Sequence, residues 1–143
     1  MSTTFKATIE HVHHTTSRAS VRSHTMLVDR GVSKGGFDLG PAGGEYQLVA
    51  LGGCFTSHLL AAIRAREATV GNVKVAVSGT LDGTPERFTG FTIDVTSDGD
   101  PELARKLVTI ASRACQVINT MRLAAPVDIT YQGVPIESAE AVA

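Results

Sequence analysis

Residues 46–63 read YQLVALGGCFTSHLLAAI, eighteen consecutive positions without a formally charged side chain. Apolar side chains recur in this stretch at the spacing of one helix face, at Leu48, Leu51, Phe55, Leu59, Ala62 and Ile63. The pattern predicts a long helix from about Glu45 to about Glu67. Arg64 and Arg66 lie near its carboxyl end, where basic residues complement the helix dipole.

The length of this stretch reaches the threshold of roughly 18 apolar residues for a membrane span. It also contains polar residues (Gln47, Thr56, Ser57 and His58) and two adjacent glycines, and no aromatic belt flanks it. We therefore expect a central helix buried inside a soluble domain or dimer, and no membrane partner.

The composition limits the class of protein. A chain of 143 residues with 43% hydrophobic residues is about one domain with a sizeable core. Its 13 basic and 14 acidic residues and its 5% aromatics argue against nucleic-acid binding, which needs basic surface and often stacking rings. No basic-then-apolar leader opens the sequence, so we expect a cytoplasmic protein without a signal peptide. Its thiols are then reduced unless they perform redox work.

The N-terminal third is predicted to form two strands. Residues 4–14 alternate loosely, residues 15–17 are a turn signal, and residues 19–29 form the return strand. Residues 31–44 contain six glycines and Pro41 without periodicity, which predicts a loop. The length of this loop suggests a functional role or a partner contact.

Two further strands are predicted after the long helix, over residues 73–81 and 88–97, with a turn at residues 82–85. Asp100-Pro101-Glu102 then has the features of a helix start: a capping carboxylate, proline at the first position and a second acid. The buried face of this second helix is expected at Leu103, Leu107, Ile110, Ala111 and Ala114.

A short helical piece follows Cys115 and ends before Pro126, and residues 127–131 alternate as a last strand. The tail from Glu137 is expected to be frayed. The order β-β-α-β-β-α-β, with strands in hairpins, predicts the α+β class with mostly antiparallel sheets. Residues 1–143 are expected to form a single domain.

The two cysteines are the first candidates for chemistry. Cys54 follows Gly52-Gly53 within the uncharged helix, and Cys115 ends the second helical segment. Their wide separation suits neither a metal knuckle nor a secreted disulfide framework. Two thiols, each set by its own helix, suit a redox pair in which one attacks and the other resolves.

Other interpretations of Cys54 stay open from the residues alone. Two glycines in mid-helix cost on the order of 1 kcal/mol each relative to alanine, so they indicate close approach of another helix or a small substrate. Alternatively, the helix breaks at Gly52-Gly53, and Cys54 lies near a new amino-terminus whose dipole favours the thiolate. Cys54 as a small buried hydrophobe, or in a permanent disulfide with Cys115, is also compatible with the sequence.

An attacking thiolate needs a cation, and arginine suits this role because it is always charged and offers several donors. Arg18 and Arg22, on or beside the second strand, are the candidates, although solvated strand residues are commoner. Glu45 precedes the long helix, where the dipole favours an acid in any case. About 13 Å of helix rise separates it from Cys54, so it serves a thiol only if the helix bends or if it comes from a second chain.

His58 follows Cys54 by four positions and shares its helix face, which makes it a candidate base or, with Cys54, half of a metal site. We find no convincing remaining ligands, and His11 and His13 on the first strand do not complete a site. No glycine-rich phosphate cradle is present. No metal and no cofactor are expected.

The sequence contains an ordered set of motifs: HTMLVD at residues 24–29, Gly35-Gly36 with Asp38, Gly40-Pro41, Glu45, and LVALGGC at residues 48–54. This set resembles the OsmC/Ohr family of osmotically induced and organic-hydroperoxide-resistance proteins. A second cysteine at the end of the other helix matches Cys115, and the resemblance covers nearly the whole chain.

The sequence departs from the family pattern at three places. Gln116 stands where many relatives have proline, Gly43-Gly44 replaces a proline before the acid, and Glu45 lies nine rather than ten positions before Cys54. The chain therefore resembles the OsmC-like branch of the family.

The resemblance implies a thiol peroxidase that is an intertwined homodimer, with each central helix buried between two sheets and the sites at the subunit interface. Cys54 would be the peroxidatic cysteine and Cys115 the resolving cysteine. Arg22 is the first candidate for the activating arginine and Arg18 the second, and Glu45 would act across the two chains. The reductant in related proteins is a dithiol, often lipoyl-based.

Two functions are compared on this basis. The first is a cysteine-based peroxidase acting on organic hydroperoxides, because the apolar surroundings of Cys54 favour a hydrophobic peroxide. The second is a non-enzymatic dimeric protein that senses redox state or binds a small apolar ligand beside Cys54. The two functions differ in one requirement: a peroxidase needs a cation within reach of the Cys54 sulfur.

Overall fold

A computed structural model of the chain describes residues 1–136. The chain divides into two compact units, Met1–Gln47 and the part that begins at Leu48. The prediction of a frayed tail from Glu137 lies outside the described residues. The expectation that the whole chain is a single domain stays a prediction.

The first unit contains a three-stranded antiparallel sheet in the order β1-β2-β3. Its strands are β1 (Thr8–His13), β2 (Thr16–Val21) and β3 (His24–Val28). The prediction of one return strand over residues 19–29 is wrong, because a turn after Val21 divides it. Arg22 adopts a φ of 54° in that turn, a left-handed conformation that ends the strand.

The first hairpin turn is also displaced from its predicted position. It lies at His14 and Thr15, with His14 at a φ of 49°, and Thr16 and Ser17 already belong to β2. The hydroxyl groups of Thr15 and Thr16 both donate to the carboxylate of Asp29. The side chains of Thr15 and Thr16 therefore bond to an acceptor that is distant in the sequence, instead of making the local hydrogen bonds that are typical of a turn.

The glycine-rich segment after β3 is folded back on itself. Its first part forms a 3₁₀ turn, Val32–Lys34. The Asp38 N–H donates to the Arg30 carbonyl at 3.0 Å, and the Asp29 N–H donates to the Pro41 carbonyl at 3.1 Å. A side chain at Gly36 would collide with the Arg30 backbone, so this position requires glycine.

The predicted long helix is α1 (Gly43–Ala65), and it is unbroken. The alternative in which the helix breaks at Gly52-Gly53 is wrong, and Cys54 lies in a helix interior. Gly52 faces strand β4 (Val70–Asp82), where an added Cβ would lie 2.7 Å from Cγ2 of Val77. The close approach that the glycine pair predicted is therefore made at Gly52 by a strand, whereas a Cβ at Gly53 would meet nothing within 4 Å.

The second unit contains a four-stranded sheet in the order β4-β5-β6-β7. The strands after β4 are β5 (Arg87–Gly99), β6 (Val127–Tyr131) and β7 (Val134–Pro135). β4 pairs with β5 and β6 pairs with β7 antiparallel, while β5 and β6 are parallel. The parallel pair arises because two helices, α2 (Pro101–Ala114) and α3 (Gln116–Met121), connect its strands.

The start of α2 is as predicted. Asp100 is the N-cap, and its carboxylate accepts a hydrogen bond from the Glu102 N–H at 3.2 Å, with Pro101 in the first turn. The fold class is confirmed: the chain is α+β, with mostly antiparallel sheets and a long helix.

The core of the second unit lies between its helices and its sheet. Its fully buried side chains come from α1, β5, α2, α3 and β6, and the largest apolar ones are Leu51, Phe55, Leu59, Ile93, Val95, Leu107, Val108, Ile118 and Ile129. Within residues 1–136, α1 alone is long and apolar enough to cross a membrane by length and composition. A core helix passes the same test, and only 28% of the most apolar window of α1 is buried within this one chain.

Candidate functional site

Cys54 and Cys115 are brought together by the elements of the second unit. Cys54 is partly exposed on α1, and Cys115 is fully buried at the junction of α2 and α3. Both are free thiols, and each side chain lies within interaction range of the other. The predicted juxtaposition of the two cysteines is present in the fold.

The backbone around Cys115 holds its sulfur in place. Its N–H donates to the Ala111 carbonyl at 3.0 Å, which ends α2, and its Sγ accepts the Ile118 N–H at 3.5 Å, which caps α3. Burial raises the pKa of the Cys115 thiol to about 11, the N–H of Ile118 opposes this, and the neighbouring Cys54 raises it further. Cys115 is therefore a protonated, shielded thiol at neutral pH.

Cys54 is held by a polar side chain from α3. Its Sγ donates to Oε1 of Gln116 at 3.4 Å, and Nε2 of His58 donates to the same oxygen at 2.8 Å. Cys54 and His58 are four positions apart on α1, so they present their side chains together. Sequence reasoning found this pair but missed Gln116, because 62 positions separate it from Cys54.

A cation that sequence reasoning missed interacts electrostatically with Cys115. Arg122 follows α3, and its Nη2 donates to the Val127 carbonyl at 3.2 Å. Its Nη1 is the one buried side-chain nitrogen or oxygen without a hydrogen-bond partner among residues 1–136. Burial lowers the pKa of Arg122, while attraction to Asp128 and Cys115 opposes that shift. The sequence signal that could have identified Arg122 was its position seven residues after Cys115, which corresponds to two helical turns.

The predicted activating residues belong to the first unit. Arg18 is exposed on β2, opposite Glu10 of β1 and Leu27 of β3. Arg22 is exposed in the β2–β3 turn. Glu45 lies in the first turn of α1, where its Oε1 accepts the Ala42 N–H at 2.9 Å. The roles of these three residues toward a thiol stay predictions.

An open apolar groove of about 490 Å³ runs between α1 and β4. It is lined by Leu48, Val49, Gly52, Gly53, Thr56, Val75 and Val77. Cys54 is not a lining residue, although the lining residues of α1 lie on both sides of it in the sequence. The groove is thus suited to an apolar group near the thiol-bearing helix.

His11 and His13 lie on β1, and His14 lies in the turn that follows it. Nε2 of His11 contacts the His14 carbonyl at 2.9 Å, and the strand register shifts between His11 and His13. Within residues 1–136, no three His, Cys, Asp or Glu side chains are grouped as metal ligands.

An α+β fold with two juxtaposed free thiols, one partly exposed and one buried, defines a dithiol protein. The family model described as OsmC-like protein matches residues 35–130, and the chain belongs to that family. Among curated proteins, no sequence matches the chain.

Solved structures share the fold at low sequence identity. An organic hydroperoxide resistance protein OsmC from Legionella pneumophila is 19% identical, with a TM-score of 0.71 over 90% of this chain and 96% of that one. An OsmC-like protein from Mycoplasma pneumoniae is 14% identical, with a TM-score of 0.76 over 92% and 96%. An organic hydroperoxide resistance protein from Elizabethkingia anophelis is 18% identical, with a TM-score of 0.72 over 92% and 96%. These likenesses confirm the fold, and the match to the family model confirms the resemblance noted in the sequence.

Proposed function

We propose that the protein is a cysteine-based peroxidase that reduces organic hydroperoxides. The observation that carries this proposal is the pairing of a partly exposed thiol, Cys54, with a buried thiol, Cys115, within interaction range of each other. Membership of the OsmC family, whose solved members include organic hydroperoxide resistance proteins, supports a role in hydroperoxide defence.

The proposed cycle has three balanced steps. The Cys54 thiolate attacks the O–O bond, the sulfur takes one oxygen as a sulfenic acid, and the alkoxide leaves as an alcohol after taking a proton. The Cys115 sulfur then displaces the sulfenic oxygen as water and closes a Cys54–Cys115 disulfide. A dithiol reductant, by analogy a lipoyl-based one, returns both cysteines to thiols and becomes a disulfide itself.

A cation must stabilise the attacking thiolate, and Arg22 is our first candidate and Arg18 the second. Both are exposed in the single chain, so their side chains are free to meet a partner. Glu45 would orient the arginine of a second chain. The proposal therefore includes a homodimer, in the cytoplasm, where thiols are kept reduced between turnovers.

The apolar groove supports a hydrophobic peroxide as substrate. Its volume of about 490 Å³ lies in the usual range for small-molecule sites, and its lining is aliphatic apart from Thr56. Hydrogen peroxide, which gains nothing from an apolar wall, is expected to be the poorer substrate.

The test is consumption of cumene hydroperoxide in the presence of a dithiol, with wild type, Cys54→Ser and Cys115→Ser compared. We expect turnover to vanish in Cys54→Ser. Cys115→Ser, mixed with peroxide before any dithiol is added, should complete one reduction and stop as a sulfenic acid that dimedone traps, because the dithiol would otherwise reduce the sulfenic acid directly. Ser57→Ala, an exposed position on the same helix, is the matched control and should keep wild-type turnover. A wild type that is inactive, with Cys54 unreactive toward peroxide at neutral pH, would contradict the proposal.

The groove also supports the second function, binding of a small apolar ligand by a redox-sensing protein. That function predicts saturable ligand binding that changes on oxidation of Cys54, without catalytic consumption of peroxide. Multiple turnovers per protein in the same assay exclude it as the sole activity.

A further inference from the structure

Gln116 is an exposed side chain that reaches from α3 to two residues of α1. Its Oε1 accepts one proton from Cys54 at 3.4 Å and one from His58 at 2.8 Å. A free surface glutamine has several rotamers, and holding it in one costs conformational entropy. The two hydrogen bonds offset this cost and make the amide part of the Cys54 environment.

We propose that Gln116 is a positioning residue whose side-chain amide serves the thiol and the thiolate of Cys54 in turn, by reversing its oxygen and nitrogen. The inference rests on the proposed role of Cys54 as the attacking thiol. It assigns to Gln116 the control of how readily that sulfur becomes reactive.

The two orientations of the amide follow from its donors and acceptors. An amide oxygen has two lone pairs, so it can accept the protons of the Cys54 thiol and of His58 together. When Cys54 loses its proton to solvent, that oxygen would face a negative sulfur. The reversed amide presents two N–H groups instead, one to the thiolate and one to Nε2 of a neutral His58 protonated on Nδ1.

The bond to the thiolate is the stronger of the two. A hydrogen bond to an ionised group is roughly twice as strong as one between neutral groups, whereas S–H is a weak donor. Reversal of the amide therefore favours the thiolate. The titratable groups that face Cys54 here are His58 from α1 and Cys115 from the α2–α3 junction.

The experiment measures alkylation of Cys54 by iodoacetamide in the reduced protein, without peroxide, across roughly pH 5 to pH 10. Mass spectrometry of the Cys54 peptide separates it from Cys115. Gln116→Met keeps the length of the side chain but removes its donors, and we expect about tenfold slower alkylation at neutral pH, with the profile displaced to higher pH. Gln116→Glu cannot present a donor while ionised and repels the thiolate, so a larger loss is expected.

Asn119→Asp is the matched control. It makes the same change of charge on the same helix, and Asn119 contacts the Arg113 carbonyl rather than Cys54. Its profile should stay within about twofold of wild type, because exposed charges interact weakly. Thermal unfolding of each variant reports whether the fold is kept.

A wild-type profile in both Gln116 variants overturns the inference. An effect of Gln116→Glu without an effect of Gln116→Met also overturns it, because charge alone would then explain the result. The assay contains no peroxide, so its outcome is independent of peroxidase turnover. A Gln116-dependent profile in a protein that fails to consume peroxide would keep the positioning role and remove the proposed function.

Discussion

Asp29 is a charged residue that connects segments of the first unit through hydrogen bonds. It is only 3% exposed, and its two carboxylate oxygens accept four hydrogen bonds. The donors are the hydroxyls of Thr15 and Thr16 and the N–H groups of Arg30 and Leu39. One side chain thereby joins the first hairpin turn to both ends of the loop after β3.

The four bonds control the ionisation of this carboxylate. Desolvation by burial raises its pKa, but the hydrogen bonds from Thr15, Thr16, Leu39 and Arg30 outweigh it and lower the pKa from 3.8 to about 2. Because the pKa is lower in the folded than in the unfolded state, the stabilisation is present above about pH 4. It is lost as the pH falls from about 4 to about 2.

Asp29→Asn should lower the free energy of unfolding at neutral pH, since the amide nitrogen would face N–H or O–H donors where an oxygen now accepts. Urea unfolding at a series of pH values measures this. The difference between wild type and variant should shrink as the pH falls from about 4 to about 2.

Asp38→Asn is the control, because Asp38 is exposed on the same loop and loses the same charge. A difference between wild type and Asp29→Asn that stays constant over this pH range would show that the charge of Asp29 does not stabilise the fold.

Cys115 is a second buried residue whose ionisation depends on its surroundings, which include the cation Arg122. A buried thiol with a pKa of about 11 supplies little thiolate at neutral pH, which protects it from adventitious oxidants. Arg122 is the cation that attracts the thiolate when it forms. This arrangement is consistent with a thiol that reacts only with its neighbour.

At the level of elements, the packing of α1 on β4 depends on the absence of a side chain at Gly52. A Cβ there would lie 2.7 Å from Cγ2 of Val77, which is closer than side chains pack. Glycine in a helix interior costs about 1 kcal/mol of helix stability relative to alanine. The close packing of α1 on β4 offsets this cost. The pairing of a helix glycine with a strand valine sets how near α1 comes to the sheet.

A double-mutant cycle tests this contact. Gly52→Ala alone should lower the free energy of unfolding by about 1–2 kcal/mol, because overpacking exceeds the gain in helix propensity. In a Val77→Ala background the clash is relieved, and the same substitution should be neutral or stabilising by up to about 1 kcal/mol. Urea unfolding of the four proteins measures both values, and equal effects in the two backgrounds would contradict the packing argument.

At the level of the whole molecule, α1 has an apolar stripe that the single chain leaves uncovered. Val49, Gly53, Thr56 and Leu60 follow one another at spacings of three and four and therefore lie on one helix face. The first three also line the groove beside β4, so a partner on this face would form the wall that closes the open side of the groove. Val49 is 60% and Leu60 51% exposed. Exposed apolar stripes of this kind mark interaction surfaces, and the small Gly53 in its centre allows close approach of a partner.

We expect the protein to be a homodimer through this stripe, with about twice the 15.0 kDa mass of the chain in light scattering. Val49→Asp and Leu60→Asp should each produce monomers, because an unpaired charge cannot be buried in an apolar interface. Leu123→Asp, at a turn position that is 91% exposed, is the matched control and should remain dimeric. Dimers that persist in both stripe variants would place the interface elsewhere.

Much of the fold could be predicted from local signals. The 3.6-residue periodicity predicted α1, alternation predicted β4, β5 and β6, and Asp100-Pro101 predicted the start of α2. These signals act over a few residues, where backbone conformation and the burial of one face are decided together. They failed at the β2–β3 turn, where Arg22, without glycine or proline as a marker, takes up a left-handed conformation.

The candidate site likewise has features that the sequence predicted and features that only the tertiary structure shows. The sequence by itself determined that Cys54 lies in an uncharged helix, that Cys115 ends another, and that His58 shares the helix face of Cys54. Only the tertiary structure decided that Gln116 bonds to Cys54 and His58, and that Arg122, with an unpaired nitrogen, interacts electrostatically with Cys115. The physical reason is range: periodicity and capping act between near neighbours, whereas contacts across 62 positions arise when helices and sheet close a common core.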